Sequence, residues 1–467
     1  MTVPPALTPT LTLTGHPVQR CGAWSVALLA GREHPDEVSA DDLDSVARRL
    51  VDDVVRAATA PKDSEAYDWW KVLFALYPNS KATHSGRPKD PHALRPRVAE
   101  LFAMDPMSAR IRPCTFCRSP CSVLWTKATL PMFDTDHAVN TLPPGSAGWP
   151  VCRACRIAMW ALPYGARVTA GSATVLTCED PYVEGKFAQR NVTRADRIRQ
   201  VGFSGLSADA SPEAVALAVL GDPAVRRLVG TTLWMFKNDN QDPWLRVTGT
   251  QLAVAGFLRS MQADPQTLYG WGYLRRVLTR RDTNGVITQR GSDVAAKTLF
   301  DGEGKPPDGL LRALLTRAER TDQVSRRALL AWGALSHLYL KEIHEMDTSG
   351  LKPVVNVLAE WITGAGNSSR GRFGEYQSIA NDPYKLNGLL MKVLARLVLD
   401  GHRPADVSEA TPSLLASGPQ GWRFRGQLFF EVVGELVARG VQIGKKNDDE
   451  EEISEMEVPP PDEEDYA

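Results

Sequence analysis

The chain has 467 residues, 43% hydrophobic and 23% charged, with 54 basic against 55 acidic side chains and a net charge of −1. This is a globular composition with enough chain for two to three domains. No run of 18 apolar residues is present, which excludes a membrane-spanning helix, and Met1–Thr14 lacks the basic and apolar regions of a secretory signal. The charge is unevenly placed. Asp448–Ala467 holds 11 acidic residues and no basic one, so the rest of the chain has 54 basic against 44 acidic residues, about +10, enough to meet a polyanion. The plain alternative is a solvating tail on an ordinary surface.

In chain order, Ser39-Ala40-Asp41-Asp42 reads as a capping box that opens a helix with Leu43, Val46, Leu50 and Val54 on one face. Tyr67–Tyr77 is a second helical stretch, followed by a basic, proline-broken loop from Pro78 to Arg97. A cysteine module follows, and then Arg167–Cys178, whose β-branched residues suggest a strand. From Ser211 onward the pattern is mostly helical. Three apolar stripes stand out: Val324 to Tyr339, Leu386 to Leu397 and Leu428 to Val437. The predicted fold is an α+β N-terminal part with an inserted zinc ribbon, followed by a mostly α-helical C-terminal bundle. The expected boundaries are 1–110, 111–165 for the ribbon, 166–300 for the rest of the N-terminal domain, 301–446 for the bundle, and 447–467 for a disordered acidic tail.

Cys114-Thr-Phe-Cys117 and Cys152-Arg-Ala-Cys155 are separated by 34 residues. Each pair can form a knuckle, and two knuckles supply four thiolates, which closes a tetrahedral zinc shell and leaves no position for a reacting water. The expected cofactor is therefore a structural Zn2+, in a reducing, cytoplasmic setting that suits seven cysteines so spaced. Cys121 is an alternative ligand, and Cys21 and Cys178 read as buried thiols. Asp134, Asp136 and His137 offer a metal-dependent nuclease reading. Otherwise no P-loop, metalloprotease or nucleophile-elbow motif is present, Gly364-Ala-Gly366 lacks the rest of a dinucleotide fingerprint, and His337 and His344 stand alone. A binding protein is expected, not an enzyme.

Arginines beside aromatics suit single-stranded nucleic acid. Tyr269, Trp271 and Tyr273 lead into Arg275, Arg276, Arg280 and Arg281, which form a stripe if one helix carries them. Arg370 and Arg372 flank Phe373 and Tyr376, and Arg423 and Arg425 alternate with Trp422 and Phe424.

The order of short motifs resembles a known family. Thr14-Gly15-His16-Pro17 with Gly22, Leu28-Leu29-Ala30-Gly31, the capped acidic helix, Leu76-Tyr77-Pro78-Asn79-Ser80, the first cysteine pair, Gly148-Trp149-Pro150-Val151 before the second, and Ala161-Leu162-Pro163-Tyr164-Gly165 follow in sequence. Over about residues 12–250 this resembles the large subunit of type I-B CRISPR Cascade complexes, in the zinc-ribbon branch. The resemblance implies an antiviral protein with crRNA, target double-stranded DNA, the Cascade backbone and other subunits, and a helicase–nuclease as partners, and no membrane. Such subunits read the protospacer-adjacent motif, promote R-loop formation and recruit the nuclease, without cutting. In RNA-guided recognition of this kind, base pairing reads sequence while protein reads the adjacent motif.

On that reading, Asn79, Ser80, Lys81, His84, Arg87 and Lys89 are candidates for groove contacts, Lys127 for phosphate, and Asn238, Asn240 and Gln241 for a base edge. In some type I-B systems the helical part is also made separately. Met346 would start such a product here, of 122 residues. The acidic tail departs from the family pattern. The competing readings are a Cascade subunit serving a transposon and a stand-alone zinc-ribbon DNA-binding protein.

Overall fold

A computed structural model describes residues 11–106, 110–126, 129, 147–206, 210–238, 242–300, 308–364 and 368–444. Lys127, Asp134, Asp136, His137, Asn240, Gln241 and the acidic tail lie outside the described residues. The chain divides into two compact units, with the boundary between Gly249 and Thr250.

The first unit contains, in order, α1 (Pro17–Leu29), α2 (Ala40–Thr59), α3 (Ala66–Leu76), α4 (Pro91–Ala99), β1 (Arg112–Pro113), β2 (Pro120–Cys121), β3 (Leu124–Trp125), β4 (Trp149–Pro150), α5 (Arg153–Gly165), β5 (Arg167–Val168), β6 (Ala173–Cys178), α6 (Pro181–Val201), α7 (Pro212–Leu220), β7 (Thr231–Lys237) and β8 (Trp244–Gly249). The start of α2 is the expected box: Ser39 Oγ accepts from Asp42 N at 3.1 Å, and the Asp42 carboxylate accepts from Ser39 N at 2.9 Å. Its Leu43, Val46, Leu50 and Val54 are all buried. At the centre α1 lies against α5. A side chain at Gly22 would stand 1.9 Å from the Ala158 carbonyl oxygen, so only glycine allows the approach.

The Pro78–Arg97 stretch is not a loop throughout. Asp90 caps α4, which begins at Pro91, where the missing N–H costs nothing. The region after Ser211 also departs from expectation. β5-β6-β7-β8 form one antiparallel sheet, with Val175 opposite Trp234 and Trp234 opposite Val247. Thr231–Lys237 and Trp244–Gly249 carry Thr, Trp, Phe and Val, which suit a pleated, half-buried surface, and β7 buries Thr231, Leu233 and Phe236. One face of the sheet carries Val175 and Phe236 into the core.

The second unit contains α8 (Ala253–Ala263), α9 (Pro265–Leu278), β9 (Arg280–Arg281), β10 (Ile287–Gln289), α10 (Gly291–Lys297), α11 (Gly309–Ala318), α12 (Arg326–His344), α13 (Lys352–Thr363), α14 (Ser369–Ile379), α15 (Pro383–Leu399), α16 (Thr411–Leu415) and α17 (Pro419–Ala438). Among the described residues it is helical apart from the small β9–β10 hairpin. Residues 250–300, which the sequence reading places with the N-terminal part, belong to this unit. The reason is close packing of α9 on α12: Trp332 Nε1 donates to the Gly270 carbonyl at 3.0 Å, and a side chain at Gly270 would meet the Ala331 carbonyl oxygen at 2.8 Å. The stripe on α12 faces α17, where Ser336 Oγ donates to Gln427 Oε1 at 2.7 Å.

Candidate metal centre

The first knuckle follows β1. Cys114 N donates to the Ser119 carbonyl at 2.8 Å and Arg118 N to the Cys114 carbonyl at 3.0 Å. Arg118 has φ of 67°, the left-handed conformation that closes the turn. β1 then pairs with β2, Arg112 opposite Cys121. The second knuckle begins at β4, which pairs with β3, and runs straight into α5. Cys152 is the N-cap residue of α5 and Cys155 lies in its first turn. Thr115 N donates to the Pro150 carbonyl at 2.8 Å and so ties the knuckles together.

The result is four sulfur atoms, from Cys114, Cys117, Cys152 and Cys155, all within 4.8 Å of one another. Cys117 Sγ and Cys152 Sγ are 3.4 Å apart. Four thiolates at ~2.3 Å from a tetrahedral ion would be spaced by about 3.8 Å, so the cluster has the dimensions of a metal site. Three of the cysteines are buried and Cys117 is half-buried, so the shell is closed by protein. Cys121 is not part of it. Its thiol points to the Arg112 carbonyl at 3.4 Å, and burial pushes its pKa up to about 12.

Without an ion, the four thiols cannot ionise together. Hydrogen bonds from Cys114, Cys152 and Cys155 hold the Cys117 thiol far below the ordinary range, while those that Cys155 makes with Cys114, Cys117 and Cys152 hold its own proton on. A divalent cation would replace the shared protons and satisfy all four sulfurs. The start of α5 adds its positive dipole end beside Cys152 and Cys155. Gln19 of α1, fully buried, has its side-chain nitrogen 3.9 Å from Cys155 Sγ and donates to the Thr12 carbonyl at 2.8 Å.

α5 is also the anchor for its surroundings. Arg156, 1% exposed, donates to the Leu101 carbonyl at 2.9 Å and the Ala103 carbonyl at 2.8 Å, and pairs with Asp105. Asp105 in turn accepts from Ser122 N at 2.8 Å, between β2 and β3. Arg153 donates to the Phe102 carbonyl at 2.7 Å and pairs with Asp44 at 2.6 Å. One turn further along, Tyr77 stacks on Trp160 with ring centroids 4.0 Å apart, and its hydroxyl donates to the Met159 carbonyl.

Tyr77 is the base of the segment 78–90. Its carbonyl accepts from Thr83 Oγ1, Trp70 Nε1 donates to the Thr83 carbonyl at 2.9 Å, and Ser80 Oγ accepts from Ala82 N at 3.2 Å. Arg87 donates through Nε to the Ala58 carbonyl at 2.7 Å and lies 4.1 Å above the Trp70 ring. The segment is thus a bonded turn. Ser80 and Arg87 are buried inside it and hold its shape, so they do not face solvent as the sequence reading has them. Asn79 is half-buried, and Lys81, His84 and Lys89 are exposed. Asn238 is also turned inward and donates to the Leu76 carbonyl at 2.7 Å, which fixes the end of β7 to the same turn.

The other basic clusters come apart. α9 ends at Leu278, so Arg275 and Arg276 sit in its last turn, while Arg280 and Arg281 form β9; no single helix carries all four. Arg276 lies 4.8 Å from the Tyr273 ring centroid. Arg370 is exposed on α14, but Arg372 donates to the Trp361 carbonyl at the end of α13. Arg425 is buried and donates to the carbonyls of Asn381, Leu414 and Ala416, and Arg423 pairs with buried Asp308 at 2.7 Å. No helix among the described residues is long and apolar enough to cross a membrane.

No family model matches the chain, and no curated protein or solved structure matches it either.

Proposed function

We propose that this chain is the large subunit of a crRNA-guided type I-B Cascade complex, that the four-cysteine centre is a zinc ribbon holding a structural Zn2+, and that the turn over residues 78–90 reads the protospacer-adjacent motif. The observation that carries the reading is the mounting of this turn on the helix that supplies half of the metal ligands. Cys152 and Cys155 lie at the start of α5, and Tyr77, at the base of the turn, is held by Met159 and Trp160 of the same helix. A structural ion at that place fixes the direction of α5 and with it the position of Lys81, His84 and Lys89.

The chemistry of those three side chains suits the role. Two ammonium groups and an imidazole can reach phosphate and the acceptor edges of bases in a groove. The turn beneath them is held by its own hydrogen bonds, so little ordering is required on binding. The expected setting is cytoplasmic, with no catalysis by this chain and with a separate helicase–nuclease recruited to the opened DNA.

The test is target binding by the reconstituted complex with its RNA. Lys81→Ala with Lys89→Ala should weaken binding to target duplex at least tenfold while the subunits still co-elute with RNA. Unchanged target binding would remove the turn from motif reading.

A further inference from the structure

α15 has two apolar faces. Leu386, Leu389, Leu390, Val393 and Leu397 are buried in the second unit. On the opposite side Tyr384 is 90% exposed, Met391 66% and Val398 59%. Between them on the same side lie Gly388 and Ala395, both exposed. The spacing of Tyr384, Gly388, Met391, Ala395 and Val398 alternates four and three residues, the repeat of a helix that packs along another helix. Exposed apolar side chains so aligned mark an interaction surface.

Gly388 sharpens the point. A Cβ added there would have nothing within 4 Å, so the fold of this chain does not require glycine. Glycine in a helix interior costs about 1 kcal/mol relative to alanine. Its presence suits a close approach from outside.

We infer that this face of α15 pairs antiparallel with α15 of a second copy of the chain. In an antiparallel pair each layer joins one position of the repeat to the other, and here one position is small (Gly388, Ala395) and the other large (Tyr384, Met391, Val398). The seam is therefore complementary to itself: Met391 of one copy fits over Ala395 of the other, and Val398 over Gly388, with each contact repeated by the two-fold axis. A parallel pair would set large against large and small against small.

The charges beside the seam are largely neutralised within each copy. Lys385, Lys392 and Arg396 flank the seam and are already paired with Asp382 at 3.5 Å, Glu375 at 3.1 Å and Asp400 at 2.9 Å. Lys392 meets its own copy near the axis, a like-charge contact that its pairing with Glu375 offsets. At the ends of the seam, Asp382 at the start of one helix faces exposed Arg403 beyond the end of the other, and the two helix dipoles oppose. This pairing concerns the helical unit and is independent of the proposed nucleic-acid role.

Light scattering on the full chain, up to about 100 µM, tests the pairing. The native chain should form a concentration-dependent dimer. Ala395→Met sets large against large and should weaken it at least tenfold, and adding Met391→Ala restores one small and one large residue per layer and should recover it. Leu394→Cys, at the axis, should cross-link under mild oxidation, and Tyr384→Cys should not. A native chain that stays monomeric, an Ala395→Met variant that dimerises as well as the native chain, or preferential linking through Tyr384→Cys would overturn the proposal.

Discussion

Cys117 Sγ and Cys152 Sγ stand 3.4 Å apart although they belong to knuckles far apart in the chain, one after the short strand β1 and one at the start of α5. Sulfurs at this spacing repel once ionised, so a cation is the element that lets all four be thiolates. Cys152→Ser should therefore take bound metal from about one ion per chain to near none and destabilise the first unit by roughly 2–5 kcal/mol. Metal analysis and a denaturation curve on the same sample check both. Binding must displace protons, so metal should be lost as pH falls, and chelation of the native protein should reproduce the mutant's stability.

Arg156 couples that centre to its neighbours. Its three main partners are the Leu101 and Ala103 carbonyls and Asp105, all in the segment before the first knuckle. Arg156→Ala leaves these acceptors without their donor and should cost about 2–4 kcal/mol, read from the denaturant midpoint. Metal affinity should fall as well, because β2 and β3 lose the hold that Asp105 gives them.

The turn over residues 78–90 should separate into two classes of variant. Arg87→Ala removes the bond to the Ala58 carbonyl and the stack on Trp70, so it should lower stability by about 2 kcal/mol. Lys81→Ala should leave stability within about 0.5 kcal/mol and change DNA binding, reducing the salt dependence by about one phosphate contact.

The Arg32 side chain hydrogen-bonds Asp42 and, with the Ser39 amide and hydroxyl, holds its pKa down to about 2. A depressed carboxylate supports the fold fully above its unfolded value near 3.9 and loses that contribution as pH falls toward about 2. Asp42→Asn should flatten the loss of stability across that acid window and leave the slope near neutrality unchanged, as thermal unfolding against pH would show.

A product that starts at Met346 would contain α13 to α17 without α12. It would lack Trp332, Leu335 and Tyr339, all buried, and the Ser336 partner of Gln427. Residues 346–467 expressed alone should therefore show helical far-UV dichroism without fixed near-UV signals. A cooperative unfolding transition in that fragment would contradict this.

What was legible in the sequence was local. Ser39 and Asp42 cap α2 through a spacing of three residues, and each cysteine pair makes its knuckle within four residues, so both signals survive in linear order. The stripes of α12, α15 and α17 were legible because their periods persist over several turns. β7 and β8 were missed because Trp234 and Met235 blur the alternation and because the strands depend on pairing with β6. The roles of Arg87, Asn238 and Arg425 were hidden for another reason: a polar side chain is drawn inward when it meets a backbone carbonyl, and the partners (Ala58, Leu76, Leu414) lie on other elements. The outward face of α15 was masked by its stronger buried face.

The most direct test of the proposed function is to purify the tagged chain from its native host, sequence the RNA that co-purifies and measure zinc in the same sample. The account predicts short RNAs of uniform length flanked by a common repeat, with about one zinc per chain. A chain that carries zinc but no such RNA, and that binds duplex DNA alone, would contradict it.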